Sequence, residues 1–175
     1  IDCESFTPVK KAVSDEFVLG WTGSAATFGF IKSLFPIIDQ LGKAYNLKLV
    51  LVGCGQQTIE LDNVEVKIEP WTLENEREIV PQFDIGLFNL TNTEWDRARG
   101  GGKLFVYMAC GVPFITPDIG IGKQVYNESK AGVLVDEDKW KDALEVLIKN
   151  TELRVKLSAK ARKYAVENYS HKASV

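Results

Sequence analysis

The chain has 175 residues, 45% of them hydrophobic, which is enough apolar material for one domain with a real core. A net charge of −3 and a pI near 5.3 exclude a general nucleic-acid binder, whose affinity would rest on a basic surface. Any site for an anion must therefore be local. Cys3, Cys54 and Cys110 are widely spaced and His171 is the only histidine, so neither a disulfide framework nor a metal site is expected. There is no apolar run of about 18 residues and no signal pattern, so a cytoplasmic protein without a membrane segment is expected.

The opening IDCESFTPVKKAVSDE is polar, contains Pro8 and lacks periodicity until Phe17. Residues 1–16 read as a linker entering a domain that spans 17–170. Residues 171–175 read as a truncated tail, and the natural chain is expected to continue on both sides. Phe17 to Trp21 is a continuous apolar run closed by Thr22-Gly23-Ser24, the pattern of a strand buried on both faces. Phe28, Ile31, Leu34, Phe35, Ile38 and Leu41 follow at helical spacing, with Pro36 expected to bend or restart that helix.

Leu47 to Val52 reads as a second strand, closed by Gly53-Cys54-Gly55, and Val64 to Ile68 as a third. Leu73 to Gln82 reads as a helix with an acidic first turn. Asp84 to Phe88 gives another strand, followed by about fourteen residues without periodicity, long enough for a functional loop. Lys103 to Cys110 is a short helix ended by Gly111. Val112 to Thr116 and Gly132 to Val135 are strands, and two closing helices carry Ala143, Leu144, Leu147 and Ile148, then Leu153, Leu157, Ala161, Tyr164 and Ala165.

Strands alternating with helices define the fold class as α/β, a Rossmann-like three-layer domain with a parallel sheet of about six strands. In such sheets ligands sit beyond the carboxyl ends of the strands. The loops facing that side are Thr22 to Thr27, Gly53 to Gln57, Glu69 to Thr72, Asn89 to Gly102 and Pro117 to Gln124.

One of them is RARGGGK, Arg97 to Lys103. Three glycines ahead of a helix let the backbone approach a ligand closely, and first-turn N–H groups favour an anion there. Arg97, Arg99 and Lys103 add full positive charge, and a diphosphate suits all three features. A flexible loop with solvated cations is the plain alternative. The common nucleotide fingerprints are not met. Gly53-x-Gly55-x-x-Thr58 lacks the third glycine and follows the second strand, which counts against a nicotinamide-cofactor domain. Gly102-Lys103 is followed by Leu104 rather than Ser or Thr, which counts against a P-loop.

The segment DIGLFNLTNTEWDRARGGGKLFVYMACGVPFITPDIG, Asp84 to Gly120, resembles the C-terminal domain of the retaining group 1 glycosyltransferases of the GT-B fold, above all in Lys-Leu-x-x-Tyr-Met-Ala-x-Gly-Val-Pro. The likeness extends over nearly the whole chain, through VLGWTGS, KLVLVGCG, AGVLVDE and the closing LRVKLSAKARKYAVENYS. The resemblance implies half of a GT-B enzyme. This half would hold the nucleotide-diphosphate sugar of a polysaccharide-building enzyme, with a uridine or guanosine diphosphate as carrier. The glycan or lipid-linked acceptor and the catalytic groups would lie on a missing N-terminal domain of the same polypeptide.

No catalytic residue is then expected in this fragment, which alone would be inactive. No cofactor or metal is expected beside the donor substrate. By position, Arg99 and Lys103 match the cations that meet the donor diphosphate, Gly23 and Ser24 the loop lining the phosphates, and Trp71 the loop bordering the nucleobase. Val106 and Leu104 fall on the helix that meets ribose and base, and Gly120 and Gly122 in the loop facing the donor sugar, with Gln124 where an acidic residue is common. The full-length enzyme is expected in the cytoplasm or peripherally at the inner membrane.

Two positions depart from the family pattern. Ala98 and Val106 stand where the resemblance places a pair of glutamates, the second contacting the donor ribose. Val106 cannot form that hydrogen bond, which removes about 1.5–3 kcal/mol. This keeps open a non-catalytic GT-B-like module binding a protein or regulatory ligand. Read from their neighbours alone, Trp71 and Trp21 are core residues, Trp95 is equally a lid, and Trp140 after Asp136-Glu137-Asp138 marks a helix start. Cys54 and Cys110 are small buried hydrophobes, and the glycines of Gly120-Ile121-Gly122 serve equally well in a turn.

Overall fold

The computed structural model describes residues 1–11, 14–91 and 100–170. The two apolar runs nearest the N-terminus form β1 (Phe17–Thr22) and β2 (Leu47–Val52), each buried along nearly its whole length because helices cover both faces. β3 (Glu65–Glu69), β4 (Ile85–Leu87), β5 (Phe114–Pro117) and β6 (Gly132–Val135) complete a six-stranded sheet in the order β3-β2-β1-β4-β5-β6. Every pairing is parallel. This is the doubly wound order, and its direction reverses between β1 and β4.

The pairing there is short. β1 and β2 run in register from Phe17↔Leu47 to Thr22↔Val52, whereas β1 and β4 share only Leu19↔Ile85 and Gly20↔Gly86. Beyond those pairs the ladder stops, at the switch point whose carboxyl-end crevice takes the ligand in doubly wound sheets. Pro36 splits the first helical pattern as expected, into α1 (Phe28–Lys32) and α2 (Phe35–Gly42), with the proline tolerated in the first turn of the second. α3 (Leu73–Ile79) is capped by the Thr72 hydroxyl, which accepts from the Asn75 N–H at 3.0 Å, and it runs into a 3₁₀ turn at Val80–Gln82.

α4 (Gly102–Ala109) ends where Gly111 takes φ +66°, a conformation that favours glycine. After β5 the structure departs from the sequence reading. The glycines read as part of a loop facing the donor sugar, or of a turn, open a ten-residue helix, α5 (Gly120–Ser129), closed by Lys130 in the left-handed region at φ 50°. α6 (Trp140–Lys149) and α7 (Thr151–Tyr169) finish the domain, α7 capped by Asn150, whose side chain accepts from the Leu153 N–H at 2.9 Å.

Two apolar clusters lie on opposite sides of the sheet. One joins Phe28, Ile31, Ile38, Leu144 and Leu147 to the strands, and the other gathers Leu104, Tyr107, Met108, Ala161 and Ala165. The expected linker contributes to the second, since Cys3 and Phe6 are buried in it. Arg162 on α7 fastens this segment by donating to the carbonyls of Phe6 at 2.7 Å, Cys3 at 2.9 Å and Ala109 at 2.5 Å. Cys54 and Cys110 are buried small hydrophobes, as read. Among the described residues no helix is long and apolar enough to cross a membrane.

Candidate functional site

At the switch point a single side chain spans the gap between the parting strands. The Tyr107 hydroxyl accepts from the Thr22 N–H at 3.2 Å and donates to the Leu87 carbonyl at 3.1 Å, replacing the ladder bonds that β1 and β4 no longer make. Its ring lies against Gly86, where a Cβ would come within 2.5 Å of it. Burial pushes the phenol well above its ordinary value, and Glu76 pushes in the same direction. Beside it the Thr22 hydroxyl donates to the buried carboxylate of Glu76 at 2.7 Å. These two bonds fix the end of β1, from which the next loop springs.

That loop meets the start of α4. Lys103 Nζ donates to Thr27 Oγ1 at 3.3 Å and sits 4.8 Å from the centroid of the buried Trp21 ring, a cation–π contact that holds the ammonium over the crevice. Thr27 Oγ1 also accepts from the Ser24 N–H at 3.2 Å and donates to the Ser24 carbonyl at 3.1 Å. Gly23 must be small, because a Cβ there would lie 2.4 Å from Trp21 and 2.7 Å from Lys103 Cε. Lys103, Gly23 and Ser24 are thus brought together. The Gly23 N–H, however, already donates to the Val52 carbonyl at 2.9 Å, so what this loop presents outward is the exposed Ser24.

Around Gly100 and Gly102 an added Cβ would meet nothing within 4 Å, so the backbone at the mouth of α4 borders open space. Gly101 is the cap of this eight-residue helix and offers no side chain to its first-turn N–H groups. Helix dipole and Lys103 therefore act in the same direction. Arg97, Ala98, Arg99 and Trp95 lie outside the described residues.

On the β2–β3 side, Gly53, Gly55, Gln56, Gln57, Pro70 and Trp71 line an open groove of about 630 Å³. Trp71 is 54% exposed, which corrects the core reading given to it from its neighbours. The strand end that Pro70 follows is β3 at the sheet edge, where the ring is left more than half exposed. Gly53, at φ +83°, lets this groove close on the β1 loop, since a Cβ would lie 2.2 Å from the Gly23 carbonyl. On the other side, Ser33, Asn89, Thr91, Asp118, Glu137 and Trp140 line a second recess of about 480 Å³.

Three other sequence candidates are placed differently. The Leu104 side chain is fully buried in the second apolar cluster, so only its backbone reaches the helix entrance. Gly122 is buried within α5 for packing, since a Cβ would lie 2.1 Å from Thr116 Oγ1. Val106 is half-buried against the same cluster as Leu104. Gly120 begins α5 with φ +53°, directly after the loop that leaves the carboxyl end of β5. The roles of Thr27, Tyr107 and the Thr22–Glu76 pair escaped the sequence reading. The Ser24-x-x-Thr27 spacing offered a signal for the first, Tyr107 stood in the Lys-Leu-x-x-Tyr-Met-Ala motif without a role, and nothing local marked the pair.

Strand order and helix placement define a doubly wound, Rossmann-like α/β domain, and the comparisons name its family. The model of the glycosyl transferases group 1 matches residues 17–150, so the chain belongs to that family. No curated protein matches it by sequence. The C-terminal domain of the group 1 glycosyl transferase LpcC of Francisella tularensis is similar at 16% identity and a TM-score of 0.68, covering 98% of this chain and 99% of that one. Sucrose-phosphate synthase of Thermosynechococcus elongatus matches at 16% identity and a TM-score of 0.76, over 99% of this chain and 48% of that one. HepE of Anabaena, solved with UDP-glucose, matches at 14% and 0.75, over 97% and 52%. The chain spans about half the length of the last two.

Proposed function

We propose that the chain is the donor-binding half of a glycosyltransferase and that a nucleotide-diphosphate sugar lies across the β1–β4 crevice. The observation that carries this is the Lys103 ammonium, held by Thr27 and the Trp21 ring at the open, glycine-lined entrance of α4. The diphosphate takes that position, with Arg99 as the second cation and Ser24 as a hydroxyl donor. The nucleoside extends toward Trp71 and the groove around Gly53, and the sugar toward Gly120. HepE, solved with UDP-glucose, makes a uridine diphosphate sugar the first donor to test.

As the bond from sugar to phosphate breaks, negative charge grows on the departing diphosphate. A fixed ammonium and helix N–H groups aimed at it lower the barrier and supply what a metal otherwise would. Retention at the anomeric carbon, a glycan or lipid-linked acceptor held by a preceding domain, inactivity of this half alone and a cytoplasmic or membrane-peripheral site complete the reading. Val106 offers the ribose no hydrogen bond, so binding is about ten- to a hundredfold weaker than with a carboxylate there. That same apolar position favours the second reading, a non-catalytic module that keeps the fold.

Calorimetric titration with uridine, guanosine and adenosine diphosphates separates the two. Heat with one of them, reduced at least about tenfold in affinity by Lys103→Ala or Arg99→Ala, is the expected result. No heat with any, and none after Val106→Glu, defeats the proposal; binding unaffected by either alanine moves the ligand elsewhere.

A further inference from the structure

The two edges of the sheet are built differently. β3, at one edge, carries Glu65, Lys67 and Glu69, and its charges are engaged in ion pairs, Lys48–Glu65 at 2.6 Å and Lys67–Glu69 at 2.7 Å. Such charges blunt an edge against further pairing. β6, at the other edge, is Gly132-Val133-Leu134-Val135, with no charge at all. It pairs with β5 alone among the described residues, and Val133 and Leu134 are only half-buried.

Its flanks are strongly and oppositely charged. Exposed Lys130 precedes the strand, and exposed Asp136, Glu137 and Asp138 follow it, Asp138 being paired with Lys139 at 3.5 Å. Lys156 and Lys160 of α7 line the groove of about 510 Å³ that runs beside Val133 and Leu134. An edge that is positive at its start and negative at its end is complementary to itself when reversed. We propose that β6 is the contact through which two copies of this chain associate, strand against antiparallel strand, joining two six-stranded sheets into one.

A two-fold axis between Val133 and Leu134 sets each of these residues opposite the other in the second copy. The same arrangement brings the Lys130 end of each β6 (Gly132–Val135) beside the acidic turn that carries Glu137 in the other copy, twice per dimer, with Lys156 and Lys160 on the same flank. Parallel pairing would set Lys130 against Lys130 and the acidic turns against each other, so the charges select the antiparallel arrangement. Lys130 Nζ, held 4.5 Å from the Tyr126 ring centroid and 3.3 Å from Asn127 Oδ1, is kept at this edge. β6 lies two positions from β4 in the sheet, and because Glu137 also lines the recess beside Asn89 and Asp118, association is read from mass alone rather than from nucleotide binding.

Sedimentation velocity and light scattering over a range of concentrations read the association directly. The expected mass rises from 19.5 kDa toward twice that value, and added salt weakens the dimer. Lys130→Glu or Glu137→Lys alone raises the dissociation constant at least about tenfold, and the two together restore it, because the pair is merely exchanged. A monomer at every concentration overturns the proposal. So does a dimer indifferent to both reversals, or a double variant that stays dissociated.

Discussion

Tyr107→Phe isolates the bond that bridges the switch point. The substitution keeps the ring packed against Gly86 and edge-on to Phe83, whose centroid is 6.3 Å away, and removes only the hydroxyl. Two buried hydrogen bonds are lost, to the Thr22 N–H and the Leu87 carbonyl, and neither group has water to turn to. At about 0.5–1.5 kcal/mol each, with the stranded N–H adding to the cost, the expected loss is about 2–3 kcal/mol. For a domain of this size that lowers Tm by about 4–12 °C. Urea unfolding followed by circular dichroism should show a lower midpoint with an unchanged slope. A loss below about 0.5 kcal/mol, the scale of an ordinary surface change, would refute the claim that Tyr107 holds β1 to β4.

Gly20→Ala sets a Cβ 2.0 Å from the Phe83 ring and should cost about 1–3 kcal/mol or more, whereas Gly29→Ala, with nothing within 4 Å, should be neutral or mildly stabilising; urea midpoints compare them. Thr22→Val should destabilise by about 1.5–3 kcal/mol by depriving the buried Glu76 carboxylate of its hydroxyl partner, while Thr22→Ser stays near the parent in the same assay. The Cys110 thiol, pushed up to about 12 by burial, should resist a thiol reagent at mildly alkaline pH until the chain unfolds, which stopped-flow labelling in graded urea would show. The folded state holds this proton more tightly than the free thiol at 9.0. Its contribution to stability is therefore intact below that pH and is lost as pH climbs toward about 12.

Local signals carried much of the fold. Continuous apolar runs marked β1 and β2 because both faces of a parallel sheet are covered, and Pro36 marked the break between α1 and α2 because it removes a helical N–H. α5 was illegible: two glycines and a mostly polar sequence gave it no helical stripe, and the close seat of Gly122 against Thr116 is a contact between separate elements. Trp71 was misread for the complementary reason. A tryptophan near a strand end is ordinarily covered, but this strand is the sheet edge, which strand order alone decides.

The glycine-rich entrance of α4 and its lysine were visible in the chain, since close backbone approach and a cation are properties of residue types in a row. The partners that give Lys103 its position come from residues 21 and 27, far away in sequence. The sequence by itself determined the alternation of strands and helices, the acidic surface and the family to which the chain belongs. Tertiary structure decided where β1 and β4 separate, which hydroxyl spans them and which edge of the sheet is left uncharged. Periodicity and composition are written in neighbouring residues, whereas strand order and the crevice it opens arise only when distant segments pack.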